Sequence, residues 1–184
     1  MLTALQRQHA RLERQRLVLV HRLATYTEAQ HAFQPDASSW SLAGVLQHLI
    51  LVEEGLVGNG RAHAAQRPRW VGLRTRLRER MVLAALARDL RIRVPVPDIV
   101  PQTHIPLAAL APRWGAARAD LVTYVAEVPA PRWARAAFRH PRIGWMTAMG
   151  GLRFLEAHCE HHIRQVERII GADGFPGERA RSAH

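Results

Sequence analysis

The clearest pattern along the chain is an apolar position at every seventh residue, Leu5, Leu12, Leu19 and Tyr26, with Leu23 filling the next turn of the same stripe. That spacing keeps one helix face apolar and predicts a first helix from about Leu2 to Tyr26. Pro35 and the small polar residues of HAFQPDASSW interrupt the period, and Ser41 is placed to cap a second helix through its hydroxyl. The second helix is predicted from about Leu42 to Ala65, weakened in its later half by Gly55, Gly58 and Gly60. A third, from about Leu73 to Leu90, carries Leu73, Leu77, Met81 and Ala84 on one face and Arg74, Arg76, Arg78 and Arg80 around the rest. The four prolines of RIRVPVPDIVPQTHIP exclude a helix interior or a central strand and predict an extended crossover. Leu110, Trp114, Ala117, Leu121 and Val125 then mark a helix from about Leu107 to Val128, which Pro112 kinks or truly begins. VPAPRWARAAFRHPRIG reads as a loop into a last helix from about Met146 to Ile170, stopped by Gly171. No internal repeat and no strand alternation stand out. The expected fold is all-α: a four-helix bundle with a long crossover and short extra helices over residues 1–170, followed by a flexible tail at 171–184.

The histidines give this frame its chemistry. Leu155, Val166 and Ile169 define the inward stripe of the last helix, and at ~100° per residue His158 and His162 fall near its centre on successive turns. His161 falls at the edge of the stripe, while Glu156 and Glu160 point away. On the second helix Val45, His48 and Val52 share a face, so His48 also points inward. Histidines at i and i+4 can share one metal ion, and a third from a facing helix completes a three-ligand set. A single inward histidine is ordinarily a hydrogen-bonded core residue. Three together would each need a buried partner, at ~1–3 kcal/mol for each left unsatisfied, whereas one metal ion satisfies them all. His21, His63, His104 and His184 have no such company and are expected at the surface. Cys159 lies off the stripe and is expected to be a packed or half-exposed thiol.

Composition narrows the classes. The chain has 184 residues, 48% of them apolar and 22% charged, and one cysteine, which excludes a disulfide framework within the chain and a cysteine zinc cluster. The longest apolar run near the N-terminus is Leu17 to Val20, too short for a signal-peptide core, and no stretch approaches the ~20 apolar residues of a membrane helix. A soluble cytoplasmic protein is expected. The net charge is +11, and all 26 basic residues are Arg. Such a surplus draws anions, and residues 61–93 hold ten Arg against Glu79 and Asp89. An Arg-driven nucleic-acid binder is therefore an alternative reading. The alternating Arg74, Arg76, Arg78 and Arg80 spread around a helix, however, and no nucleic-acid-binding signature accompanies them. The complete lack of Lys beside abundant Ala, Arg, Leu and Gly fits a coding bias better than a function.

The segments QPDASSWSLAGVLQHLILVEE and HPRIGWMTAMGGLRFLEAHCEHHIRQVERI, in that order, resemble the DinB/YfiT-like metalloenzymes. Members of that family show a Trp-Ser helix start leading to a His, then a His-Pro-x-x-Gly turn and a His-x-x-x-His-x-x-Gln helix. The resemblance covers both ends of the bundle and leaves about Arg67 to Pro131 unanchored. It implies a four-helix bundle of unusual connectivity, often a homodimer, with a divalent metal held by His48, His158 and His162, the same three that periodicity selects. It also implies that Gln165 orients a ligand or caps polar groups in the core, and that His161 neighbours the site. Some members are transferases or isomerases that use a low-molecular-weight thiol such as bacillithiol or mycothiol.

Three neutral ligands on a zinc or nickel ion leave a coordination position open, as catalytic sites do. The expected function is a mononuclear three-His enzyme acting as a thiol-dependent S-transferase or a hydrolase on a small, anionic substrate. A metal-binding bundle without turnover is a further alternative. Glu53, the nearest acid to His48, is the candidate general base, set against an ordinary Arg-paired residue on a helix flank. His140 and Pro141 belong to the turn before the last helix, with Gly144 supplying its tight geometry. Trp40 and Trp145 are expected to pack.

Overall fold

The computed structural model describes residues 3–68, 70–90, 97–101, 105–128 and 136–177. Among them are six α-helices: α1 (Ala4–Leu23), α2 (Glu28–Ala32), α3 (Leu42–Ala62), α4 (Leu73–Ala87), α5 (Leu107–Glu127) and α6 (Ala148–Ile170). Two short strands, β1 (Ala136–His140) and β2 (Gly144–Thr147), precede α6. Side-chain hydroxyls start four of the helices. Thr3, Thr27, Ser41 and Thr147 each accept the backbone N–H three residues on, satisfying a donor that the helix itself cannot.

Helices α1, α5, α3 and α6 pack in that cyclic order, so the chain crosses the bundle diagonally from α1 to α3 and again from α5 to α6. The core falls into two clusters. One, around Leu19, Leu46, Leu110 and Trp114, lies toward the start of α3, and the other, around Leu56, Leu121, Phe138 and Leu152, lies toward the hairpin. The stripes of α1, α3, α5 and α6 enter these clusters as their periodicity predicts. Pro112 falls inside α5, which begins at Leu107, so the proline does not mark the helix start. Gly55, Gly58 and Gly60 leave α3 unbroken.

Three expectations change. Residues 136–147, expected to be loop as far as Gly144 and helix from about Met146, form an antiparallel hairpin pairing Phe138 with Met146 and His140 with Gly144, and the last helix starts at Ala148. Its strands, five and four residues long, are too short to show alternation. Gly144 adopts φ +91°, open to glycine at little cost, and His140 Nδ1 accepts the backbone N–H groups of Arg142 (3.1 Å) and Ile143 (3.2 Å), closing the turn. Second, the predicted apolar face of α4 is not its packed face: Leu73, Leu77 and Met81 are 84%, 59% and 64% exposed. Helix α4 lies outside the bundle against α6 and β2, and a competing stripe of Val82, Leu83 and Leu86 makes the contact. Third, the expected tail begins with a docked segment, since the Phe175 ring meets those of Tyr26 and Phe33 edge-on and Gln30 donates to Pro176 O at 2.6 Å. The rest of that tail (178–184), His104 and most of the proline-rich crossover lie outside the described residues.

Two glycines mark close approaches. A Cβ at Gly151 would collide with the Phe138 ring and one at Gly60 with Tyr124, whose hydroxyl donates to Ala137 O. Gly58 has nothing within 4 Å of that position. Urea unfolding should therefore show opposite signs: Gly151→Ala loses ~1–3 kcal/mol by overpacking, whereas Gly58→Ala gains ~0.5–1 kcal/mol from helix propensity.

Candidate metal centre

His48 comes from α3, where it lies between Val45 and Val52, and His158 and His162 come from successive turns of α6. All three are buried, and one ring nitrogen from each lies within 4.8 Å of the others. His48 Nε2 is 3.3 Å from His158 Nε2, which is 3.1 Å from His162 Nε2. Trp40 packs against His48 at 4.6 Å between ring centroids and stacks on His162 at 6.0 Å, while Phe154 stacks on His158 at 5.4 Å.

The outer nitrogens decide what the inner ones can do. His48 Nδ1 is 2.6 Å from Ile99 O, and His162 Nδ1 is 2.7 Å from Gln165 Oε1. Both partners are carbonyl oxygens and only accept, so each Nδ1 carries its ring's proton and each Nε2 presents a lone pair toward His158. Burial, the largest cause in each case, keeps the rings neutral: it pushes His48 down to about 4, His162 down to about 3, and His158 well below the usual histidine range. His158 has one proton for two facing lone pairs, and its Nδ1 has no partner among the described residues. Hydrogen bonding among neutral rings leaves this cluster short of protons. A cation accepting three lone pairs removes the shortage, and neutral imidazole is the ligand form that zinc and nickel take. The residues therefore fit a metal ion. The Nδ1–H to oxygen bonds are the contacts that fix ligand tautomer and ring direction in metal sites.

The other candidates sort by position. Gln165 touches His162 as the resemblance implies. His161, more buried than its edge placement suggests, meets His162 edge-on at 5.0 Å between centroids and places Nδ1 3.0 Å from Asp89 Oδ1, tying α6 to the end of α4. Asp89 adopts φ 55° and also pairs with Arg168.

Glu53 is not placed as a general base. Five residues beyond His48, it lies ~140° further round the helix, buried in the α3–α5 interface rather than lining the cavity. Arg118 grips it with Nε at 2.6 Å and Nη2 at 2.8 Å, and Trp114 Nε1 donates to it at 3.0 Å. It is Arg-paired, though in the core rather than on a solvated flank.

Glu156 meets Gln8 of α1 instead of pointing outward, and Glu160 is exposed. Cys159 is buried, and burial pushes its thiol up to about 12, so it is no nucleophile near neutral pH. His21 is exposed, and His63 bonds Asn59 O and Arg139. Arg74, Arg76, Arg78 and Arg80 are all exposed. Sequence reasoning missed Ile99, whose contribution is a backbone carbonyl with no residue-type signal. Asp89 was legible only as one of two acids in the Arg-rich stretch 61–93.

A cavity of about 790 Å³ opens over the three histidines, lined by α3, α4, α6, the hairpin and the loop before α3. No helix among the described residues is long and apolar enough to cross a membrane. A buried three-histidine cluster that could hold a metal ion, lining a cavity in a four-helix bundle, fits a metal-binding class of helical protein. Within it, the DinB superfamily model matches residues 11–166, and the chain belongs to that superfamily. No curated protein and no solved structure matches the chain.

The buried Glu53–Arg118 pair should behave as structure. Glu53→Ala, which strands Arg118 in the core, should lower stability by ~3–5 kcal/mol, while Glu53→Met with Arg118→Met should recover most of that loss. Metal content per folded molecule should be the same in both variants, as measured by elemental analysis of gel-filtered protein.

Proposed function

We propose that this protein is a divalent-metal-dependent enzyme whose single ion, zinc or nickel, is held by His48, His158 and His162. The observation that carries this reading is the pair of lone pairs on His48 and His162, aimed inward because Ile99 O and Gln165 Oε1 hold the outer protons. When bound, the ion supplies Lewis acidity and an open position for water or a thiol, which supports S-transfer to or from a small substrate, or hydrolysis. The chain's own residues do the rest. Trp40 and Phe154 wall the rings from solvent, Gln165 orients His162, and the Ile99 carbonyl orients His48.

Three neutral ligands leave the ion's full charge in place. With Arg139, Arg142 and Arg168 lining the cavity, this favours an anionic substrate. A homodimer in the cytoplasm belongs to the same proposal. The exposed apolar residues of α4 and the single buried Cys159 support it.

Protein purified without a polyhistidine tag should contain, or take up from zinc or nickel solution, one metal equivalent per chain. His48→Ala should hold less than about a tenth of an equivalent, and metal should raise the melting temperature of the parent alone. Gln165→Leu should weaken binding by ~10–100-fold. A parent that takes up no transition metal would overturn the proposal. With metal bound, a screen of thiol acceptors, esters and amides separates an enzyme from a bundle that uses the ion for stability alone.

A further inference from the structure

The cavity changes character along its length, and given the metal reading above, that gradient defines a ligand class. His48 and Asn59 both line its α3 wall. Eleven residues at ~1.5 Å rise put them ~16 Å apart along the helix. The lining there is mostly apolar, with Val52 and Leu56 from α3, Val82 from α4 and Phe154 from α6, against which the His140 ring packs. Gly55 lies in the same stretch, and the nearest atom to a Cβ there is Ile99 Cγ2 at 4.0 Å. A side chain at that position would have room to project into the channel.

The charges at the two ends are met differently. Near the histidines, Arg168 pairs with Asp89, and the Asp36 carboxylate is taken by the hydroxyls of Ser38 (2.6 Å) and Ser39 (2.7 Å). At the Asn59 end, Arg139 projects from β1 into the lining. Its guanidinium meets His63 Nε2 at 3.2 Å, and no carboxylate pairs with it among the described residues. His63 in turn bonds Asn59 O at 2.9 Å, which fixes Arg139 beside the end of α3. An arginine met by an imidazole rather than by a carboxylate thus stands across the channel from the three-histidine site.

We propose that the cavity binds an amphipathic organic anion, with a metal-seeking head at the three histidines, an apolar body along Val52, Leu56, Val82 and Phe154, and a terminal anionic group at Arg139. An extended chain advances ~1.25 Å per ~1.5 Å C–C bond because of its zigzag, so about ten to twelve carbons, with the head atom and the carboxylate at the two ends, cover the distance. Arg139 is then the residue that selects for the charged end, and Gly55 the one that permits the length.

The probe is a series of ω-mercaptoalkanoic acids of about six to sixteen carbons, titrated into full-length cobalt(II)-loaded protein and followed by the sulfur-to-cobalt charge-transfer band. Affinity should rise by about two- to fourfold per methylene to an optimum near ten to twelve carbons. Arg139→Gln should weaken the optimal acid by about fivefold and leave the mercaptoalcohol of equal length unchanged. Gly55→Leu should shift the optimum to shorter chains with cobalt still bound. Affinity independent of length, or acid and alcohol bound alike and equally in Arg139→Gln, overturns the proposal while the metal site stands. Failure of the parent to load cobalt, zinc or nickel overturns the metal reading and this proposal with it.

Discussion

Ile99 and Gln165 hold the protons of His48 and His162 on the outer side of their rings, and burial prevents either ring from acquiring a second one. Much of the remaining architecture is arranged around that constraint. Two lone pairs face a third imidazole that can satisfy only one of them, and unsatisfied polar groups in a core are costly. The bundle tolerates the arrangement because the three nitrogens are close enough to share one cation. The hydrogen bonds that would be a defect in an ordinary core thereby become the means of orienting ligands.

The fold supplies this geometry from elements that are remote in sequence. Helices α3 and α6 are neighbours because the chain crosses the bundle diagonally twice, and the crossover after α4 returns to α3 with the Ile99 carbonyl against His48. The buried Glu53–Arg118–Trp114 cluster locks α3 to α5 on the side away from the histidines. Asp89 joins α4 to α6 through His161 and Arg168. The hairpin closes the other end, where Phe138 lies over Gly151 and Tyr124 over Gly60. The bundle contacts hold the three histidines, while α4 and the hairpin shape the cavity above them.

Much of this is readable from residue spacing. A 3.6-residue period places His48, His158 and His162 inward without any knowledge of contacts, because side-chain direction on a helix follows from position alone. The same rule accounts for Leu12, Leu19 and Leu23 on α1 and for Leu110, Trp114 and Leu121 on α5. It falls short where two elements must meet before a residue acquires its role. Glu53 stands out near His48 as an acid, but its partner Arg118 is 65 residues away. Helix α4 carries two apolar stripes, and which one packs depends on where the helix lands. The Ile99 carbonyl has no residue-type signature, and the strands of the hairpin are too short for alternation to emerge.

Long-range nitrogen–proton correlation NMR of selectively labelled histidines reads the positions of their ring protons directly. In zinc-loaded protein near neutral pH, His48 and His162 should each show a protonated Nδ1 and a metal-shifted Nε2, with His158 ligating through Nε2. Spectra with Nε2 protonated on His48 and His162, unchanged by added metal, would contradict the account.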